Sequence, residues 1–227
     1  MNFGNEPIFQ WLAQYAYQPT VVYVSVCTMM IASAFGFPLP EEISIVSVGI
    51  LAYMGAHPEL FAPPSVGSPV VNGYEAALIV SLAVFFSDSL VFMIGRMFGR
   101  KLMKRPRFHS FFEGPVMEKI NGFVKKYGVY AAFVFRFTPG IRFPAHIVLG
   151  MSKFTFPAFL LVDGLAVIIS VPTQILLVYH FGEPILGTLY KFKTYVGITL
   201  AVVLAVVLIK KIWKKFFPAK TIPPSDI

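Results

Sequence analysis

Two proline breaks, each set between apolar arms too short to cross a bilayer alone, constrain this chain more than any other feature. Thr20–Phe35 is apolar, is interrupted by Gly36-Phe37-Pro38-Leu39-Pro40-Glu41-Glu42, and resumes over Ile43–Met54. Val129–Met151 is broken in the same way at Thr138-Pro139-Gly140. A helix needs about 20 residues to cross the roughly 30 Å hydrocarbon core. Ile43–Met54 reaches only about 18 Å at about 1.5 Å per residue, and the arms on either side of Pro139 only about 14 and 17 Å. These arms read as legs of re-entrant hairpins that dip to mid-depth and return.

The bilayer enters because water is excluded. Hydrophobic residues make up 56% of the chain and charged residues 13%, about half the charged share of a soluble globule. Ala76–Gly95 and Phe154–Val178 are long spans carrying Asp88 and Asp163, the second with Pro172 inside it. Tyr195–Ile209 runs into Trp213 and a lysine cluster. Between them, 57–73 is a Pro- and Gly-rich loop and Arg96–Lys126 a basic, partly amphipathic connector. The net charge of +8 could suggest nucleic acid. The basic residues instead bracket apolar spans, at Arg96, Arg100, Lys101, Lys104, Arg105 and Arg107 and at Lys210, Lys211, Lys214 and Lys215, as residues that orient a membrane protein do. If Val129–Met151 returns to its own side, both clusters face the cytoplasm. If it crosses, they face opposite sides and break the positive-inside pattern.

The expected fold is therefore an all-α polytopic membrane protein of inverted-repeat architecture, with two opposed re-entrant hairpins and about three full transmembrane helices. Its parts are an interfacial segment over 1–19, a membrane domain over 20–213 with hairpins at about 20–56 and 128–153, and a cytoplasmic tail over 214–227. The N-terminus lacks the pattern of a signal peptide. Cys27 is the single cysteine, so no internal disulfide is expected. His57, His109, His146 and His180 show no metal-ligand spacing, and neither a metal nor a cofactor is expected. Gly95-x-x-x-Gly99 permits close helix approach.

Glu41, Glu42, Asp88, Arg136, Arg142 and Asp163 all fall at bilayer depth. At roughly 2.5–3.5 kcal/mol each, exposure of all six to lipid would cost on the order of 15 kcal/mol, so they must face one another or a wet cavity. Arg136 and Arg142 flank the Pro139-Gly140 break and can turn toward one point, where guanidinium forks suit a phosphate. Gly140 and a helix restarting near Ile141 would add amide donors. These residues are the candidate ligand-binding set. Glu41, Glu42 and Asp88 are the candidate proton-coupling set, with Glu42 narrowly preferred over Glu41 at the tip. The bland reading is an ion-pair network that only glues the hairpins together.

Phe133-Val-Phe-Arg136-Phe-Thr-Pro139-Gly140-Ile-Arg142, followed by Gly150-Met151, resembles the signature of the DedA family, also called the SNARE-associated or VTT-domain superfamily. Pro38-Leu-Pro40-Glu41-Glu42 is similar to the family's acidic first-hairpin motif, and Asp88-x-x-x-Phe92-x-x-Gly95-x-x-x-Gly99 to its Gly-Asp span. Ser87 stands where Gly is usual, and Phe92 where Tyr is. The His180 region lacks the first Gly of a common Gly-Tyr-x-x-Gly. The resemblance covers roughly residues 20–185. It implies a carrier in the bacterial inner membrane that returns undecaprenyl phosphate, or a related phosphate-bearing lipid, between leaflets, with a link to the proton-motive force. Phospholipid scrambling is the alternative that the related eukaryotic members imply. The expected partners are an anionic lipid substrate and membrane lipids, without nucleic acid; a homodimer is left open. An enzyme is not expected, because the motifs of membrane lipid phosphatases and of CDP-alcohol transferases are missing.

Overall fold

Proline stands in the first two positions of half of the helices, as its fixed φ and missing N–H allow in a first turn. In a computed structural model that describes residues 7–35, 41–103, 114–138 and 141–187, the order is α1 (Pro7–Ala16), α2 (Pro19–Ala34), α3 (Glu41–Ala56), α4 (Gly73–Met103), α5 (Pro115–Tyr127), α6 (Ala131–Arg136), α7 (Arg142–Met151) and α8 (Phe156–His180). A 3-10 turn, Gly128–Tyr130, joins α5 to α6, entered at Gly128 with φ of 63°. Among the described residues there is no strand. Residues up to Gly182 form one compact unit, and the described residues 183–187, which are helical, belong to a second.

α4 and α8 are long and apolar enough to cross a membrane. With 31 and 25 residues they extend about 46 and 38 Å. The hairpin arms are shorter. α2 and α3 have 16 residues each, or about 24 Å, and α6 and α7 have 6 and 10, or about 9 and 15 Å. One expectation changes here, because α3 begins at Glu41 instead of Ile43. Both glutamates sit in its first turn, where the helix N-terminus favours negative charge, and with two more residues at its other end, to Ala56, the arm gains about 6 Å. The expected break residues 36–40 and 139–140, the basic residues 104–107, the third span Tyr195–Ile209, Trp213, the lysine cluster and the tail lie outside the described residues.

Apolar side chains gather in two cores. In one, Val22, Val26 and Met30 of α2 and Ile45, Val48 and Ala52 of α3 pack on Ala76, Val80 and Val84 of α4 and Val167, Val171 and Ile175 of α8. In the other, Phe135 of α6 and Ile147 and Leu149 of α7 pack on Val91 and Phe92 of α4 and Phe159 and Val162 of α8. The N-terminal half of α4 thus meets the C-terminal half of α8, so the two long helices run antiparallel. The amphipathic α5 closes the second core with Met117, Ile120 and Val124 and leaves Glu118, Lys119, Lys125 and Lys126 exposed.

The hairpins reach across. α2 packs on α4 and α3 on α8, while α6 packs on α8 and α7 on α4. The closest approaches are at glycines. A Cβ on Gly95 would lie 2.4 Å from the Ile147 carbonyl oxygen, one on Gly150 would lie 2.1 Å from that of Phe92, and one on Gly49 would lie 2.7 Å from Val178 Cβ. Gly95 and Gly99 therefore do what their spacing suggests, pressing α4 onto α7. Ser87, at the usual Gly position, donates a 2.7 Å hydrogen bond to the Met30 carbonyl, and Phe92 stacks on Phe159 with centroids 4.4 Å apart.

Candidate functional site

Asp88 lies fifteen residues from either end of α4, and Asp163 lies on α8 between Val162 and Val167. Both fall at the seam between the two cores, where the ends of three shorter helices also arrive. Arg136 is the last residue of α6, Arg142 the first of α7 and Glu41 the first of α3. Three helix ends and two helix middles therefore deliver their charges to one place.

The arginines divide the carboxylates. Arg136 donates through Nη1 to Asp88 Oδ2 at 2.7 Å and through Nε to the Ser170 hydroxyl at 2.7 Å. Its other carboxylates are farther, with Glu41 Oε1 at 3.8 Å and Asp163 Oδ1 at 3.9 Å. Arg142 grips Glu41 with both Nη atoms and lies 3.3 Å through Nε from Asp88 Oδ1. Asp88 is thus shared between the arginines, while Glu41 belongs chiefly to Arg142. Arg136 and Asp88 side chains are each 2% exposed and Arg142 is 16% exposed, so Arg142 is the more accessible fork.

A cavity of about 180 Å³ opens on these groups. Glu41, Glu42, Arg136, Arg142, Ser170 and Gln174 supply its polar wall, and Ile45 and Phe137 its apolar rim. At about 30 Å³ per water it has room for roughly six waters, enough for a small anionic headgroup and too little for a whole lipid. The apolar remainder of a lipid would have to stay outside, beside exposed Phe137 and Ile43.

Glu42 is exposed while Glu41 is buried, so the inward carboxylate at the tip is Glu41, against the narrow preference for Glu42. Residues one apart on a helix point about 100° away from each other, and only the packing on α8 decides which turns in. Gly140 lies outside the described residues. The expected restart is close to the observed one, since α7 begins at Arg142 after Ile141. Ser170 and Gln174 belong to no motif in the sequence, although with Asp163 they fall at i, i+7 and i+11 on one face of an otherwise apolar helix. His146 is one of four histidines scattered along the sequence. It lies one turn after Arg142, fully buried, with Nδ1 3.3 Å from Asp88 Oδ1 and Nε2 3.6 Å from Asp163 Oδ1.

The donor atoms of Asp88, His146 and Asp163 lie within 4.8 Å of one another. Two guanidiniums already approach Asp88, and their positive charge opposes a divalent ion there. The arrangement can instead bind an anion at the arginine forks, hold it against a serine hydroxyl and an amide, and exchange it for the Glu41 carboxylate.

The VTT domain model matches residues 28–183. An uncharacterized membrane protein of Haemophilus influenzae is 31% identical over 68% of this chain and 68% of its own length. One of Mycobacterium tuberculosis is 29% identical over 82% of this chain and 80% of its own. Protein DedA of Escherichia coli K12 is 26% identical over 49% of this chain and 51% of its own length, and an inner membrane protein of Borreliella burgdorferi is 24% identical over 88% and 87%. No solved structure matches.

Proposed function

The chain belongs to the VTT-domain (DedA) family of membrane proteins, and from that premise we propose that it is a lipid carrier of the bacterial inner membrane, moving undecaprenyl phosphate or a related phosphate-bearing lipid between leaflets. One observation carries this reading. Two arginine forks face a headgroup-sized cavity in which both Nη atoms of the more accessible fork are held by one carboxylate, Glu41. A phosphate can replace that carboxylate oxygen for oxygen, because a guanidinium binds either bidentately. Asp88 stays behind to orient Arg136. Movement is coupled to protons through the carboxyls that the ligand displaces or repels, Glu41 and Asp88, with Glu42 at the mouth. The protein moves the lipid unchanged and is not an enzyme.

The hairpins act as opposed re-entrant elements. Each arm is shorter than the hydrocarbon core, and the pairing of α2 with α4 and α3 with α8 has its counterpart in α6 with α8 and α7 with α4. Glu41 and Arg142 begin the corresponding arms α3 and α7, and Gly49 and Gly150, each eight residues on, press against the opposite long helix. That relation supports an inverted repeat with its site at mid-depth. The C-terminus then faces the cytoplasm.

A competing reading, a scaffold without transport, draws on the same ion pairs, since both guanidiniums have carboxylate partners already. Arg136→Lys and Arg142→Lys separate the two. Lysine keeps the charge but not the planar fork. A carrier should insert at normal levels and lose most movement of undecaprenyl phosphate in proteoliposomes, whereas a scaffold should tolerate both changes. Transport at the parent rate by both variants would sink the carrier reading. Covalent change of the lipid would identify an enzyme, and movement of neutral and zwitterionic phospholipids at equal rates a scramblase.

A further inference from the structure

Outside the cavity lining, against Asp88, lies a group of atoms that the anion site does not use. His146 is wholly buried on α7, its ring edge-on to Phe159 with centroids 5.2 Å apart. Nδ1 faces Asp88 of α4 at 3.3 Å and Nε2 faces Asp163 of α8 at 3.6 Å. Neither ring nitrogen and neither Asp163 oxygen makes a well-aligned hydrogen bond. The nearest cation to Asp163 is Arg136 of α6 at 3.9 Å, a guanidinium committed to Asp88 at 2.7 Å. Arg142, on the same helix as His146, and Glu41 of α3 complete the charged surroundings through Asp88.

A neutral imidazole has one donor nitrogen and one acceptor. With a carboxylate oxygen at each nitrogen, one ring lone pair would face a carboxylate lone pair in a dry interior, which is costly. One extra proton removes the conflict. Either the ring is an imidazolium donating to both aspartates, or Asp163 is a carboxylic acid donating to Nε2. The charge count agrees, because Glu41, Asp88 and Asp163 oppose only Arg136 and Arg142, and a single added proton makes the cluster neutral.

We propose that His146 and Asp163 hold one exchangeable proton between them, in a site separate from the headgroup cavity, and that an anion in the cavity determines whether the proton stays. This deepens the carrier reading and rests on it for the coupling alone. An anion that displaces Glu41 adds negative charge beside Asp88, and the proton is retained. When the anion leaves, the proton is held less tightly and departs at mildly alkaline pH.

The proton is tested first without ligand, on the full chain carrying ¹⁵N-histidine in nanodiscs of phosphatidylethanolamine and phosphatidylglycerol. His146→Gln identifies the His146 signal, and Asp163→Asn any carboxylic-acid infrared band. At neutral pH the parent should show a doubly protonated His146 or a carboxyl band that Asp163→Asn removes. A neutral ring without that band overturns the proposal. The coupling is then read with dodecyl phosphate at mildly alkaline pH in weak buffer, with an indicator dye. Binding should draw protons from solution in the parent, and Asp163→Asn and His146→Gln should lose that uptake. Dodecyl phosphate binding without proton uptake overturns the coupling and leaves the phosphate site standing. A protonated pair in a parent that does not bind dodecyl phosphate upholds the proton site and removes both the phosphate reading and the coupling.

Discussion

Glu41 and Glu42 are neighbours in sequence with opposite situations. Glu41 is gripped by Arg142 and lies near Arg136, whereas Glu42 is exposed at the cavity mouth. Removing one partner of a buried ion pair costs about 3–5 kcal/mol. Because Asp88 remains 3.3 Å from Arg142, Glu41→Gln should cost about 3 kcal/mol, near the lower end of that range. Glu42→Gln should stay within about 0.5 kcal/mol, as surface substitutions do. Unfolding of the two variants in one detergent checks this, and equal losses would mean that Glu41 is not the inward carboxylate. Both residues were visible as a charged tip in the sequence. Which one turns inward was not, because that depends on how α3 rotates against α8.

Between helices, small residues do what apolarity does in water. Lipid is as apolar as a leucine side chain, so close backbone contact carries the association. Gly95 and Gly150 bring α4 and α7 together so closely that a methyl group on either would collide with a backbone carbonyl. Gly95→Ala and Gly150→Ala should each cost about 1–3 kcal/mol, the usual range for overpacking. Gly122, within α5, has nothing within 4 Å of its Cβ position. Gly122→Ala should therefore stabilise by about 1 kcal/mol through helix propensity. Thermal unfolding of the three variants reads opposite signs, and a destabilised Gly122→Ala would contradict the packing of α5. Arg96, which as sequence is one more flanking cation, donates to the Ser152 and Phe154 carbonyls and lies over the Phe92 ring. It ties α4 to the segment that follows α7.

For the whole molecule, the test is topology. With Cys27 replaced, cysteines at Lys126 and Lys153 should label from the same face of the membrane under the proposed re-entrant topology. Labelling from opposite faces would make residues 129–151 a crossing segment and would place the basic clusters on opposite sides. The two cores lie on either side of the charged seam, so each hairpin packs mainly in its own apolar surroundings and meets the charges at the helix ends beside its break and, in the second hairpin, one turn further in at His146.

By itself the sequence determined the membrane class, the breaks, the family resemblance and the set of charges forced to meet, because hydropathy, proline and the cost of a bare charge in lipid act locally or add up along the chain. Arg136, Arg142, Glu41, Asp88 and Asp163 were all legible for that reason. The tertiary structure alone decided the pairing: Arg142 with Glu41, Arg136 with Asp88 and Ser170, and His146 between two aspartates. Those partners lie 34 to 101 residues apart where the hydrogen bonds cross the chain. They meet only when two hairpins and two long helices settle at one rotation and one depth. Helix rotation and depth follow from packing between elements, and no local pattern encodes them.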